Sequence, residues 1–167
     1  MLIDASVEKN EPDYKLIERL ALQCRMPLCY GGGIKNVQQA QKIFSLGVEK
    51  IALSSILIEN PNLISEIASK VGSQSVVAVL DVKKKLLGGY EVYTHNGKIS
   101  TGINPLEFIK KIVNKCDSNT LLLFHTIEYG QQIFNTLSKE LTDKEFYYID
   151  GEISGKKREV IKKEMEN

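Results

Sequence analysis

Apolar residues along this chain follow two alternating spacings. Short runs rich in β-branched and aromatic residues recur at 28–30, 51–53, 76–80, 121–124 and 146–149. Between them, apolar positions recur every three or four residues: Leu16, Ile17, Leu20 and Leu22; then Val37, Ala40, Ile43 and Phe44; then Leu63, Ile64, Ile67 and Ala68. The first spacing predicts strands and the second amphipathic helices. Strand and helix alternate with a period of roughly 25 residues, broken by one longer gap, so the pattern predicts βα units around a parallel sheet. Val76-Val77-Ala78-Val79-Leu80 is apolar throughout, as in a strand covered on both faces. Gly47 and Gly72 follow helical stripes where a left-handed cap is wanted. Pro61, after Asn60, suits the first turn of the helix that follows.

The longer gap holds LLGGYEVYTHNGKISTG, residues 86–102. Tyr90, Val92 and His95 fall on an alternating pattern, and Asn96-Gly97 is a strong hairpin turn signal. The expectation is a β-hairpin inserted between the 76–80 strand and a helix starting near Asn104-Pro105. An insert at the C-terminal end of a barrel strand lies over the site, which makes this one a candidate lid.

Composition narrows the class. The chain has 167 residues, 43% hydrophobic and 26% charged, with a formal net charge of +1. This suits one ordinary globular domain, residues 1–167, and excludes a strong basic field for nucleic acid. Cys24, Cys29 and Cys116 form no zinc or C-x-x-C spacing, so no metal or other cofactor is expected. No apolar run approaches the roughly 20 residues of a membrane helix, and the N-terminus has no basic leader pattern. A soluble, cytoplasmic protein with reduced thiols is expected.

The candidate chemistry sits at predicted strand ends. Gly31, Gly32 and Gly33 follow a strand and precede the helix starting near Asn36, where bare amides and a helix dipole favour an anion. Ser54 and Ser55 occupy the corresponding place one βα unit later, so the two loops could share a phosphate. A tight turn with a helix cap explains the glycines equally simply. Asp81 ends the 76–80 run, where a carboxylate could act as general acid or base or could cap the turn into Lys83-Lys84-Lys85. Asp4, in LIDAS, has the same ambiguity. Lys50 opens the 51–53 strand from its N-terminal end. His125 ends a strand, His95 sits beside a turn, and Cys29 reads as small core packing.

The segments IDAS, PLCYGGGIKN, LGVEKIALSS, ENPNLI, GSQSVVAVLDVKK and YEVYTHNGKISTGINPLEF resemble, in unbroken order over residues 2–113, the cyclase subunit of imidazole glycerol phosphate synthase. The likeness is strongest to a branch associated with amidination of surface-polysaccharide sugars. It implies a partial (β/α)8 barrel of parallel strands whose first strand matches the family's second. It also implies that Asp81 is a catalytic acid/base, that Gly33, Ser54 and Ser55 belong to a substrate phosphate site, and that Lys50 lines a gate for ammonia from a glutaminase partner. Ser54 stands where the family has Asn, and Ser55 where it has Thr. Asp4, Thr101, Glu128 and Gly151 are secondary candidates.

Residues 114–167 depart further. The sixth-strand motif reads HTIEYGQQ, leaving Thr126, Glu128 and Gly130 as an echo, and FYYIDGEISGKK resembles a worn seventh strand with Gly151 surviving. The Lys/Glu-rich tail reads as an exposed helix or a frayed end. The family's first strand, with the partner catalytic aspartate, has no counterpart here, and neither does its eighth. The resemblance therefore implies near-background turnover by the chain alone and self-association through unpaired sheet edges. Three functional readings remain: a synthase subunit acting on a phosphorylated aminoimidazole, an ammonia-dependent partner in sugar amidination, and a non-catalytic remnant.

Overall fold

Several helices begin where a side chain captures a first-turn amide that the helix itself cannot satisfy. Asp13 accepts from the Leu16 amide at 3.0 Å and starts α1 (Tyr14–Gln23). Asn36 accepts from the Gln39 amide at 2.8 Å and starts α2 (Val37–Ser45), as its sequence predicts. Asn104 accepts from Leu106 at 2.9 Å where α5 (Pro105–Lys115) begins. The computed structural model describes residues 2–3, 11–86, 88–115, 127–148, 156, 159–161 and 163.

Those helices alternate with the parallel strands β1 (Leu2–Ile3), β2 (Cys29–Gly31), β3 (Lys50–Leu53) and β4 (Val76–Ala78), ordered β1-β2-β3-β4 in one sheet. Between β3 and β4 lie the short helix α3 (Ser55–Glu59), α4 (Leu63–Val71) and a 3-10 turn. The class is α/β with consecutive parallel strands, as expected. Ile51, Leu53, Tyr30, Ile43, Leu57 and Ile67 are fully buried and form the core on β2, β3 and the helices that follow. A second, antiparallel sheet is made of β5 (Asp81–Lys84), β6 (Tyr90–Thr94) and β7 (Ile99–Ser100). The chain divides into two compact units, Met1–Phe108 and Ile109–Asn167. The second contains α6 (Ile127–Glu140), in which Ile133 and Leu137 are buried and Lys110 pairs with Glu140. Among the described residues no helix is long and apolar enough to cross a membrane.

The structure corrects several expectations. Leu22 is 81% exposed and Leu16 38%, while Ile17 is fully buried. Leu22 lies five residues past Ile17, about 140° around the helix, so it cannot share that face. Val76 and Val77 are half-buried and Ala78 exposed, and among the described residues β4 pairs with β3 alone. Pro61 precedes the helix rather than entering it: α3 ends with the Asn60 amide bonded to Ile56, and α4 starts at Leu63 with Asn62 at its N-cap position. His95 is in the β6–β7 turn, not in the strand. Phe146, Tyr147 and Tyr148 belong to no strand; the Tyr148 ring instead rests on Phe134 of α6 at 5.4 Å. In the tail, residues 156, 159–161 and 163 are helical, with Ile161 buried. The 121–124 run, Asp4, His125 and Gly151 lie outside the described residues.

Candidate functional site

The glycine run resolves into two jobs. Gly31 is the last residue of β2 and pairs in register with Ala52. A Cβ on Gly31 would meet the Ala52 Cβ at 3.0 Å and its carbonyl oxygen at 3.1 Å, so the first glycine answers to the spacing of two adjacent strands. Gly32 and Gly33 have φ of 124° and 67°, a region other residues rarely adopt. At the α2 entry the Lys35 amide already donates to Gln39 Oε1 at 2.7 Å and the Gln39 amide to Asn36. The anion reading therefore rests on the amides of Gly32 and Gly33.

Because β2 and β3 are neighbours in register, Gly32-Gly33 and Ser54-Ser55 leave the sheet side by side at its C-terminal end. Ser54 precedes α3 without spending its side chain on a cap. The Ser55 hydroxyl accepts from the backbone amide of His95 at 2.9 Å, forty residues further along the chain.

Asp81 does not end the apolar strand. β4 stops at Ala78, the Val79 amide still reaches Leu53 at 2.7 Å, and Asp81 then opens β5 opposite Tyr93. The chain leaves the parallel sheet because its next partners are on β6. The half-buried Asp81 thus follows the C-terminal end of β4, one strand over from Ser54. Lys50 marks the other end of the sheet: it opens β3, is exposed, and donates its ammonium to the Gln74 carbonyl. Cys29 lies opposite Lys50, and burial pushes its thiol up, which keeps it a poor nucleophile.

The sequence gives no hint of one further residue, Glu91. Its carboxylate is buried, accepts the Ser100 hydroxyl and the Gly102 amide at 2.6 Å, and lies 3.5 Å from the Lys85 ammonium. The alternating pattern assigns Glu91 to the solvent side of its strand. Only the return of residues 100–102 across that side covers it. The Ser100 hydroxyl first, then the Gly102 amide and Lys85, hold the carboxyl below the ordinary Glu range. A lowered folded-state value contributes stability above the unfolded value of about 4.3. That contribution is lost as pH falls through the folded value. Paired thermal melts should therefore show wild type more stable than Glu91→Gln near neutrality, with the gap closing on acidification below about pH 4. A gap that does not depend on pH would refute it.

Of the secondary candidates, Thr101 spends its hydroxyl on the backbone, donating to Val92 O at 2.6 Å and accepting from the Ile103 amide at 3.2 Å. Glu128 is exposed in the first turn of α6, and Gly130 is buried in that helix. Neither belongs to the compact unit that holds Gly33, Ser55 and Asp81.

Comparison with known proteins is consistent across most of the chain. Residues 1–127 match the family model described as histidine biosynthesis protein. A protein of Leptospira interrogans, provisionally named imidazole glycerol phosphate synthase subunit HisF, is 46% identical over 164 residues, which is 96% of this chain and 55% of the relative. Its similarly named counterpart in Leptospira borgpetersenii is 44% identical over 162 residues, again 96% and 55%. A Vibrio vulnificus protein provisionally named subunit hisF3 is 55% identical over 111 residues, 66% of this chain and 43% of the relative. The chain spans about half the length of the curated relatives it matches.

Proposed function

Since the chain belongs to the histidine biosynthesis protein family, whose members fold as (β/α)8 barrels, we propose that it serves as cyclase-subunit machinery of imidazole glycerol phosphate synthase. Its substrate is then a bis-phosphorylated aminoimidazole precursor. Nitrogen arrives as ammonia from a glutaminase subunit, the imidazole ring closes, and an aminoimidazole ribonucleotide leaves.

One observation carries this reading. Gly32-Gly33, Ser54-Ser55 and Asp81 follow the C-terminal ends of three adjacent parallel strands, while Lys50 opens one of those strands at the opposite end. The glycine amides and serine hydroxyls are donors suited to a phosphate oxygen. In this reading Asp81, one strand away, moves a proton on the ring-forming part of a substrate anchored by that phosphate. Anchoring also converts a bimolecular encounter into a positioned one. Lys50, on the far face, is where a small neutral nucleophile would enter from a docked partner.

The grip is tested by calorimetric titration of the chain with the phosphorylated aminoimidazole substrate. Saturable binding is expected, competed by inorganic phosphate and weakened about tenfold or more by Gly33→Val, which removes the backbone conformation the loop needs. The variant should keep a cooperative melt. An intact, folded chain that takes up no substrate would overturn the proposal.

A further inference from the structure

The turn of the antiparallel sheet is hydrogen-bonded to the first residue of α3, just past the end of β3. His95 and Asn96 have φ of 54° and 58°, two successive non-glycine residues in left-handed backbone. Such residues cost free energy and persist only where their surroundings hold them. Here the Lys98 amide closes the turn onto Thr94 O at 3.0 Å, and Lys83 reaches across from β5 to the Gly97 carbonyl while lying 4.6 Å over the Tyr93 ring. Thr94 is buried, and its hydroxyl lies 3.1 Å from His95 Nδ1. The outcome of this arrangement is one long-range bond, from the His95 amide to the Ser55 hydroxyl. The same sheet carries Asp81, paired with Tyr93 two residues before His95.

We infer that the β6–β7 turn is a latch on the phosphate loop: His95, through its backbone amide, positions Ser55 and couples occupancy of that loop to the sheet that carries Asp81. A hydroxyl that accepts from the His95 amide has its own proton directed elsewhere, available to an anionic oxygen. An anion that accepts a hydrogen bond from this hydroxyl makes the Ser55 oxygen a better acceptor, so bound phosphate and closed latch strengthen each other. Asp81 is held through the ladder to Tyr93, so an ordered turn also means an ordered acid/base candidate. This rests on the phosphate reading of Ser54 and Ser55 given above.

The test follows backbone amides of the isotopically labelled chain by NMR, with inorganic phosphate as the probe. In wild type, phosphate should shift the Gly33 and Ser55 amides and slow hydrogen exchange at His95. Ser55→Ala should speed His95 exchange while the Val92 and Thr101 amides, bonded to Ile103 O and Val92 O, stay protected. Asn96→Val, which disfavours the left-handed turn without touching Ser55, should weaken phosphate binding about tenfold. Asn96→Gly, which permits that backbone, should leave the affinity unchanged. Wild-type affinity in Asn96→Val, with His95 exchange indifferent to phosphate, would overturn the latch while leaving the phosphate site standing. Phosphate that shifts neither Gly33 nor Ser55, with His95 still protected, would overturn the phosphate site and the coupling together.

Discussion

Asp81→Asn should lower ammonia-dependent turnover of the phosphorylated aminoimidazole about 10²–10⁴-fold, the ordinary contribution of a positioned acid or base. That is about 2.7–5.4 kcal/mol of barrier. Asparagine keeps the size and polarity of the side chain but cannot exchange a proton. The assay supplements the chain with a fragment of a relative covering the length this chain does not span, since the Leptospira relatives are matched over 55% of theirs. The strand pairing of Asp81 with Tyr93 is a backbone ladder, so the substitution should leave the melt within about 0.5 kcal/mol of wild type. KM should move little, because the proposed anchor is the phosphate at Gly33, Ser54 and Ser55, not Asp81. Full turnover by the asparagine variant would remove Asp81 from the chemistry. Equal loss of rate and of fold would make it a structural residue instead.

The second large effect is on stability. Ile51→Ala should cost about 2–5 kcal/mol, the range for truncating a fully buried aliphatic side chain. Ile51 has no exposed surface and sits in β3, hydrogen-bonded to β2 on one side and β4 on the other. Its surroundings cannot close over the lost atoms, because both flanking strands are fixed in register. Against a typical domain stability of about 5–15 kcal/mol, that is a large share. Leu22→Ala is the matched control: an aliphatic residue of similar size, 81% exposed, expected to change stability by less than about 0.5 kcal/mol. Urea titrations should show the Ile51 variant with a lower midpoint and an unchanged slope. Equal midpoints for the two variants would mean that β3 is not the core the burial describes.

What could be read from the chain were features whose causes lie within a few residues of one another. Asn36 starts α2 by bonding an amide three residues on, and Gly47 ends it with the left-handed backbone that glycine adopts freely. The strands near residues 29, 51 and 76 were legible because a short apolar run bounded by turn residues is a local pattern. The hairpin turn at Asn96-Gly97 was legible for the same reason, and so was the placement of the glycine and serine candidates just past the ends of β2 and β3. Their parallel order follows from the helices between them, since a chain that returns through a helix runs each strand the same way.

Tertiary structure decided whatever depends on a partner distant in sequence. Leu22 and Ile17 look alike in an apolar stripe, but only the packed helix shows which of them meets the core. Gly31 reads as one of three loop glycines until Ala52, twenty-one residues later, leaves no room for a side chain. Asp81 reads as a strand's end until β6 supplies the ladder that makes it a strand's beginning. Glu91 becomes a buried, hydrogen-bonded carboxylate only when Ser100 and Gly102 fold back over it, and Ser55 acquires its amide from His95 across forty residues. The physical reason is common to all of them. Backbone preference and capping act over one turn of chain, whereas burial and long-range hydrogen bonds exist only once the sheet has brought the partners together.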